Sequence, residues 1–471
     1  MRHRQGLPQQ RHRTRRPAQR LHRPAGERYM MRSRAFILLL LLCSLVASAR
    51  AEERFPPPEF RTAYQLPIEQ QPATRATYFQ YIDVAALAAA LLLGWLIVHR
   101  WRGRTGVFIL TLACLAYFGF YREGCVCAVG SIQNVTAAAL AGDYALPWFV
   151  AVFFGLPLVA ALLVGRIFCA GVCPLGAIQD IVLFKPIQVP RWLESALGLM
   201  AHLYLALAVL FAATATDFII CAYDPFVGLF RFSGTLGMLM LGAALLVLSM
   251  FVGRAYCRFL CPYAILLRIT SRLAWRKVHI SPKTCIDCKL CEKSCPFAAI
   301  DTPQRPTLTR PQARRRLYLA IGTSIALLLL LPTFGWLSGP VLARHDRTVQ
   351  LAQRIAAEDA GIITQRTDDS TAWRKSGETS TALFTRAAAI ERRLTIGGAL
   401  VGLYMSLVIG HRLLRTSLPQ RIDLYDADPT GCLACARCFE TCPVEWQRRS
   451  LEMPVALTVK LNTPDPAEAA Q

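Results

Sequence analysis

Two stretches of this chain gather residues whose type and spacing suit redox-metal chemistry. The first is Thr284-Cys285-Ile-Asp-Cys288-Lys-Leu-Cys291-Glu-Lys-Ser-Cys295-Pro296, and the second is Cys432-Leu-Ala-Cys435-Ala-Arg-Cys438-Phe-Glu-Thr-Cys442-Pro443. Each reads C-x2-C-x2-C-x3-C-P, in which three closely spaced thiolates wrap one iron-sulfur cube and the fourth cysteine, followed by proline, ligates the other cluster. The spacing therefore predicts a crossed pairing. Cys285, Cys288, Cys291 and Cys442 are expected around one 4Fe-4S cluster, and Cys432, Cys435, Cys438 and Cys295 around the other. Zinc and disulfides are the alternatives. Structural zinc usually takes two separated ligand pairs, and disulfides need an oxidising compartment. Neither suits four cysteines within eleven residues, twice, among basic neighbours.

A crossed pair demands that residues 296–431 leave and return to the same side, and composition says what they cross. Of 471 residues, 54% are hydrophobic, and the mean hydropathy is +0.35. That places the chain in the membrane class. The net charge is +23, and residues 1–29 alone hold nine Arg against one Glu. Most of the remaining excess flanks apolar runs instead of lining a groove with aromatics, so membrane lipid and not nucleic acid is the expected partner. Twelve of the seventeen cysteines fall in four C-P motifs, which argues for metal over structural disulfides.

Residues 1–30 read as a disordered basic tail or a misassigned leader upstream of Met30 or Met31. Residues 31–51 read as a signal peptide: Arg32 and Arg34, the apolar run Ala35 to Val46, then Ala47-Ser48-Ala49. An uncleaved anchor is the alternative. Residues 52–80 are proline-rich and should lie extended outside the membrane. Seven apolar runs follow, at about 81–98, 106–121, 144–164, 195–214, 234–252, 317–337 and 394–410. Arg and Lys crowd the connections after the first, third, fifth and seventh runs, and little beyond Arg122 and Arg231 follows the second and fourth. By the positive-inside rule both cysteine-rich segments, 279–312 and 415–471, then face the cytoplasm. The expected fold is an all-α polytopic membrane protein with about seven transmembrane helices after the signal peptide. It comprises a five-helix membrane domain, 81–278, and a helical hairpin, 313–414. A ferredoxin-like two-cluster module is assembled from the two separated segments. The loop 338–393, patterned like a short helical pair, is external, either a partner surface or a solvated hairpin.

Two further motifs end the third and fifth runs: Cys169-Ala-Gly-Val-Cys173-Pro174 and Cys257-Arg-Phe-Leu-Cys261-Pro262. C-x-x-x-C spacing puts both sulfurs on one face of a helical turn, and proline prevents the helix from continuing normally. Cys169, Cys173, Cys257 and Cys261 could hold a third iron-sulfur cluster, ligate and gate the other two, or be buried free thiols. Cys127-Ala-Val-Gly-Ser-Ile-Gln-Asn echoes Cys173-Pro-Leu-Gly-Ala-Ile-Gln-Asp, although span counting puts the first outside and the second inside. That suggests an inverted duplication. Cys125, Cys127 and Cys221 form an external set, suited to a disulfide or to a redox centre. His202, within the fourth run, is either a quinone or haem contact or a histidine hydrogen-bonded to a neighbouring helix. No C-x-x-C-H, Walker A or dinucleotide-binding motif is present.

With both C-x-x-x-C-P pairs and both cysteine runs in view, the chain resembles the membrane polyferredoxins of the NapH and NosR type over about residues 80–450. Those are, respectively, quinol-oxidising subunits of periplasmic nitrate reductase systems and membrane iron-sulfur flavoproteins needed for nitrous oxide reductase activity. Cys169, Cys173, Cys257 and Cys261 match the family's membrane-edge motifs, and the eight remaining motif cysteines match its cytoplasmic cluster ligands. This chain lacks room for the large external flavin domain of NosR-type proteins. It also separates its two cluster motifs more widely than NapH-type proteins do, so those pathways do not carry over. The resemblance implies a bacterial inner-membrane electron carrier or quinol dehydrogenase-like subunit rather than a stand-alone enzyme. Two 4Fe-4S clusters, or three, would link the cytoplasmic or quinone side to an external redox protein or flavoprotein subunit. The alternative is an iron-sulfur redox sensor or a maturation factor for a periplasmic metalloenzyme.

Overall fold

An apolar run surrounded by lipid can satisfy its backbone only within itself, so helices are the physical solution for most of this chain. The computed structural model describes residues 76–124, 127–142, 144–280, 285–303, 310–418 and 425–452, which all fall in one compact unit, 65–471. The expected leader, signal peptide and Cys125 lie outside the described residues.

Helix α1, Thr77–Trp95, continues through a π-helical turn, Leu96–Trp101, and α2, Arg104–Cys114, continues likewise through Leu115–Tyr121. The short α3, Ser131–Leu140, precedes α4, Trp148–Val164. A second short helix, α5, Pro174–Ile181, follows a π-helical turn, Phe168–Val172, and leads to α6, Arg191–Ala213. Two single turns, α7, Ile219–Ala222, and α8, Val227–Phe230, connect to α9, Leu236–Phe251. Then come α10, Ala255–Phe259, α11, Tyr263–Arg272, α12, Leu290–Ser294, and strand β1, Ile300–Asp301. The second half holds α13, Arg310–Leu337, α14, Gly339–Ala343, α15, Arg347–Asp359, α16, Asp368–Lys375, and α17, Ser380–Ser417. Strand β2, Asp426–Ala427, α18, Arg437–Glu440, and α19, Pro443–Glu452, close the described chain.

All seven apolar runs lie on helices. Among the described residues, five helices are long and apolar enough to cross a membrane: 77–101, 104–121, 192–213, 311–337 and 380–417. Helices α4 and α9, at 17 and 16 residues, are apolar but shorter. Helix α17 differs most from the sequence expectation. It has 38 residues, about 57 Å of helix against a hydrocarbon layer of about 30 Å. The segment 338–393 is accordingly not a plain helical pair. It holds three short helices and the first turns of α17, with a core of Ala343, Val349, Ile355, Leu383 and Leu394 packed on Leu210 and Phe211. Asp346 and Thr367 cap α15 and α16 with their side chains, which fixes where each helix starts.

Helices α13 and α17 pack backbone to backbone. A Cβ on Gly335 would meet the carbonyl oxygen of Gly398, one on Gly398 would meet that of Gly335, and one on Gly402 would meet that of Leu331. Such small-residue contact substitutes for hydrophobic drive where lipid is as apolar as leucine. The main core joins α1, α2, α4, α5, α6 and α11 around Leu87, Phe118, Phe153, Phe168, Tyr256 and Tyr263.

Candidate redox site

The two cysteine-rich segments meet. Strands β1 and β2 pair antiparallel, Ile300 with Ala427 and Asp301 with Asp426. The Asp428 amide donates to the Ala299 carbonyl at 2.9 Å, and the Ser294 and Thr441 hydroxyls lie 3.0 Å apart. The detour through α13 and α17 therefore returns to its starting point. Both motifs also share one loop conformation. Asp287 and Lys289 have φ of 54° and 60°, and Ala434 and Ala436 have φ of 55° and 62°. These occupy the same places relative to the first cysteine of each run, and none is glycine. Left-handed backbone at four non-glycine positions is costly, and successive turns of this kind aim amide N–H groups into a concavity that suits an anion. Spacing alone gave no sign of it.

Cys285, Cys288, Cys291 and Cys442 line one cavity together with Tyr425 and Phe439. Cys442 thus reaches the trio of the other motif. Cys295, Cys432 and Cys435 gather around Phe297, Ala299 and Leu433, and Cys438, which also borders the first cavity, lies within electrostatic range of all three. Burial pushes the Cys432 thiol up to about 12, and the neighbouring Cys435 and Cys295 thiolates add to the rise. Burial raises Cys295 and Cys438 as well. Sulfurs in such surroundings hold their protons unless a metal displaces them. Among the described residues, no three His, Cys, Asp or Glu side chains converge as a single metal ion requires. Cys295, Cys432 and Cys435 pack on an apolar cluster, whereas Cys285 and Cys288 of the other set are exposed.

The membrane-edge motifs lie directly behind. Cys173 caps α5 with Pro174 as its first residue, and Pro262 caps α11 just after Cys261. Each proline therefore opens the next helix as well as ending the previous turn. Cys173, Cys257 and Cys261 are buried, and Cys169 is half-buried and packed on the cluster formed by Phe297, Ala299 and Leu433. Two sulfurs receive polar donors: Gln179 Nε2 lies 3.4 Å from Cys257 Sγ, and Arg166 Nη2 lies 3.8 Å from Cys169 Sγ.

Arginines dominate this interior. Arg254 is fully buried, and its guanidinium donates to the carbonyls of Cys169 and Ala170. Asp180 receives Arg104 at 2.5 Å, Arg437 at 3.2 Å and Arg254 at 3.5 Å. Burial alone would raise the Asp180 carboxyl, but Arg254, Arg104 and Arg437 outweigh it and hold the group well below the usual carboxylate range. Arg166 donates to the Thr430 carbonyl at 2.9 Å, and Arg102 pairs with Glu445 at 2.8 Å, so the same end of the helices clamps the second cysteine segment. Sequence reasoning used these arginines only as topology markers. The signal for Gln179 and Asp180 was present in the repeated Ile-Gln-Asn/Asp, which was read as symmetry and not as chemistry.

The remaining sequence candidates separate. Cys127, expected on the side opposite Cys173, in fact lines one small cavity with it, together with Leu87, Phe118, Phe153 and Phe168. The reason is the length of the helices that follow them. Helices α3 and α5 have 10 and 8 residues, too few to span, so counting spans does not separate their starts. Cys221 shares a second cavity with Cys127. His202 Nδ1 lies 2.8 Å from the Tyr404 hydroxyl on α17, which is the hydrogen-bonded alternative for this residue.

Comparison with known proteins agrees with this geometry. A 4Fe-4S binding domain matches residues 146–190 and 234–281, the two stretches that carry the membrane-edge motifs, and another 4Fe-4S binding domain matches 278–301. A candidate electron transport protein, YccM of Escherichia coli (strain K12), is 31% identical over 156 residues, 30% of this chain and 43% of the relative. The regulatory protein NosR of Pseudomonas aeruginosa is 30% identical over 223 residues, 42% of this chain and 30% of the relative. The methylamine utilization ferredoxin-type protein MauN of Paracoccus denitrificans is 26% identical over 248 residues, 46% of this chain and 82% of the relative. The chain thus spans less than half of YccM and NosR. No solved structure matches.

Proposed function

We propose, for a chain that belongs to the 4Fe-4S polyferredoxin-like membrane proteins of the NapH/NosR type, a role in carrying single electrons between a cytoplasmic or quinone donor and an external redox protein. The observation that carries the reading is the arrival of Cys442 in the cavity of Cys285, Cys288 and Cys291. In this reading those four hold one 4Fe-4S cluster, and Cys295, Cys432, Cys435 and Cys438 hold the other. Cys169, Cys173, Cys257 and Cys261 hold a third iron-sulfur centre at the membrane edge, next to the second cluster through Cys169. Buried charge supports the third centre. Arg166, Arg254 and Arg258 are all buried near it. Arg254 pairs with Asp180 and Arg258 with Glu194, whereas among the described residues Arg166 meets only the Thr430 carbonyl and Cys169 Sγ, and a thiolate-ligated cluster carries the negative charge such a guanidinium needs. The positive-inside rule puts the two-cluster module in the cytoplasm. The bond of His202 to Tyr404 favours a structural role for that histidine over quinone contact. Because NosR is named a regulatory protein, a redox sensor is the second reading. Sustained turnover with quinol and an external acceptor separates a carrier from a sensor.

Iron and acid-labile sulfide in anaerobically purified protein test the reading. About twelve irons per chain are expected. About eight would remove the third centre, and near-zero iron with stoichiometric zinc would overturn the assignment. Crossed pairing makes its own demand: Cys442→Ser should abolish the same spectroscopic signal as Cys285→Ser, and not that of Cys432→Ser.

A further inference from the structure

The echo between the Cys127 and Cys173 stretches is structural as well as sequential. In each, a cysteine precedes a short helix, α3 or α5, and the glutamine six residues later, Gln133 or Gln179, is fully buried. Gln179 Oε1 accepts from the Tyr256 amide at 3.0 Å, immediately before Cys257. Gln133 Oε1 accepts from the Ile220 and Cys221 amides at 2.9 and 3.3 Å. Cys127 and Cys221 are therefore the counterparts of Cys173 and Cys257. The second amide atom differs: Gln179 Nε2 meets Cys257 Sγ, whereas Gln133 Nε2 is buried without a partner.

The counterpart site has different chemistry. Cys127 and Cys221 line a cavity of about 210 Å³ with Ser131, Asn134, Asp224 and Arg231. Cys127 packs against the main core, and Cys221 is exposed. A Cβ on Gly130, three residues from Cys127, would lie 3.3 Å from Cys221 Sγ, so Cys221 packs closely on the turn that carries Cys127. Asp224 is buried, and burial pushes its carboxyl up to about 6. On its inner side Cys127 borders the cavity it shares with Cys173. A half-buried thiol behind an exposed one, with a protonatable carboxylate beside them, is the arrangement of thiol–disulfide chemistry and not of a four-sulfur cluster.

We propose that Cys127 and Cys221 form a redox-active dithiol–disulfide pair that reduces a disulfide in an external protein. This rests on the electron-transfer reading above. The Cys221 thiolate attacks one sulfur of the partner disulfide, and the partner's other sulfur leaves as a thiol. The Cys127 thiolate then attacks Cys221 Sγ, releasing the partner's first sulfur and closing a Cys127–Cys221 disulfide. Asp224 takes the Cys127 proton. Two electrons, supplied one at a time from the iron-sulfur side past Cys173, and two protons restore the dithiol.

The test uses the full chain in membrane vesicles with its external face exposed, poised anaerobically with reduced or oxidised methyl viologen. A membrane-impermeant maleimide is added, and the peptides around 127 and 221 are read by mass spectrometry. Oxidised vesicles should yield a linked Cys127–Cys221 peptide, and reduction should raise labelling of Cys221 at least tenfold. In Cys257→Ser vesicles the link should survive reduction. In Cys127→Ser vesicles, with iron content measured to establish folding, Cys221 should not link to position 127 and should label under both conditions. Equal labelling of wild-type Cys221 in both states, or its linkage to a different cysteine, would overturn the proposal. Visible bleaching of the clusters separates the two layers: normal bleaching with an unchanged disulfide ends this inference alone, whereas absent bleaching ends the electron-transfer reading on which it rests.

Discussion

The two halves of the membrane unit share a scaffold and differ in charge. Around Cys173 and Cys257, Arg166, Arg254 and Arg258 are buried, and Gln179 and Arg166 direct hydrogens at sulfur. Around Cys127 and Cys221 the buried ionisable group is a carboxylate, Asp224. The first environment stabilises permanent negative charge, as an iron-sulfur centre carries. The second favours protonated groups, as a thiol pair requires. The same helix-plus-glutamine unit is thus surrounded by guanidiniums and Asp180 at one site and by Asp224 at the other, and the two proposed chemistries rest on that difference.

The largest expected effect is on metal content. Cys257→Ser should remove about four irons per chain, while Cys221→Ser should leave the iron count unchanged. Equal losses would make the two halves alike and dissolve the contrast.

One substitution type should then act with opposite signs. Asp180→Asn strips Arg254, Arg104 and Arg437 of their shared carboxylate. Because a buried charge left without its partner typically costs about 3–5 kcal/mol, the thermal midpoint in detergent should fall sharply. The Asp180 carboxyl is held low in the folded state, so this stabilisation is present above the unfolded carboxylate range and fades only as pH drops beneath it. Asp224 is the reverse case, raised to about 6. The folded protein keeps its Asp224 proton where the unfolded chain has lost it, so stability falls as pH rises from about 4 to about 6. Asp224→Asn should remove that slope and stabilise the protein at pH 8 by about 3 kcal/mol. Midpoints measured at pH 5 and pH 8 for both variants decide the matter.

Legibility in the sequence divides along similar lines. Cysteine spacing and apolar run length are local quantities. They predicted the helical character, the seven apolar runs and the meeting of residues 285–295 with 432–442. The partners of Asp180 were not legible, because Arg104, Arg254 and Arg437 come from three distant segments and a positive charge near a membrane reads first as topology. The left-handed backbone at Asp287, Lys289, Ala434 and Ala436 was hidden for a different reason: glycine is the residue that normally signals it, and none stands there. The meeting of Cys127 with Cys173 escaped span counting because α3 and α5 are each too short to span. The 38-residue length of α17 was masked by its polar first turns.

The smallest predicted effect gives the sharpest contrast between the halves. Gln179 and Gln133 hold equivalent backbone amides, and Gln179 also donates to the Leu175 carbonyl at 2.7 Å and accepts from the Ser249 hydroxyl at 3.3 Å, so its replacement by leucine removes more structural bonds than that of Gln133. Only Gln179 also donates to a cysteine sulfur. A hydrogen bond to a thiolate stabilises the more negative, reduced state of a cluster and raises its potential. A net contribution of about 1 kcal/mol corresponds to about 40 mV for a one-electron couple. Gln179→Leu should therefore lower the potential of the membrane-edge centre by roughly that amount with iron retained, and Gln133→Leu should leave it where it was. Redox titration monitored by electron paramagnetic resonance reads both. If both variants shift the potential equally, the change reports loosened packing, and sulfur-directed donation is not what distinguishes the inner half.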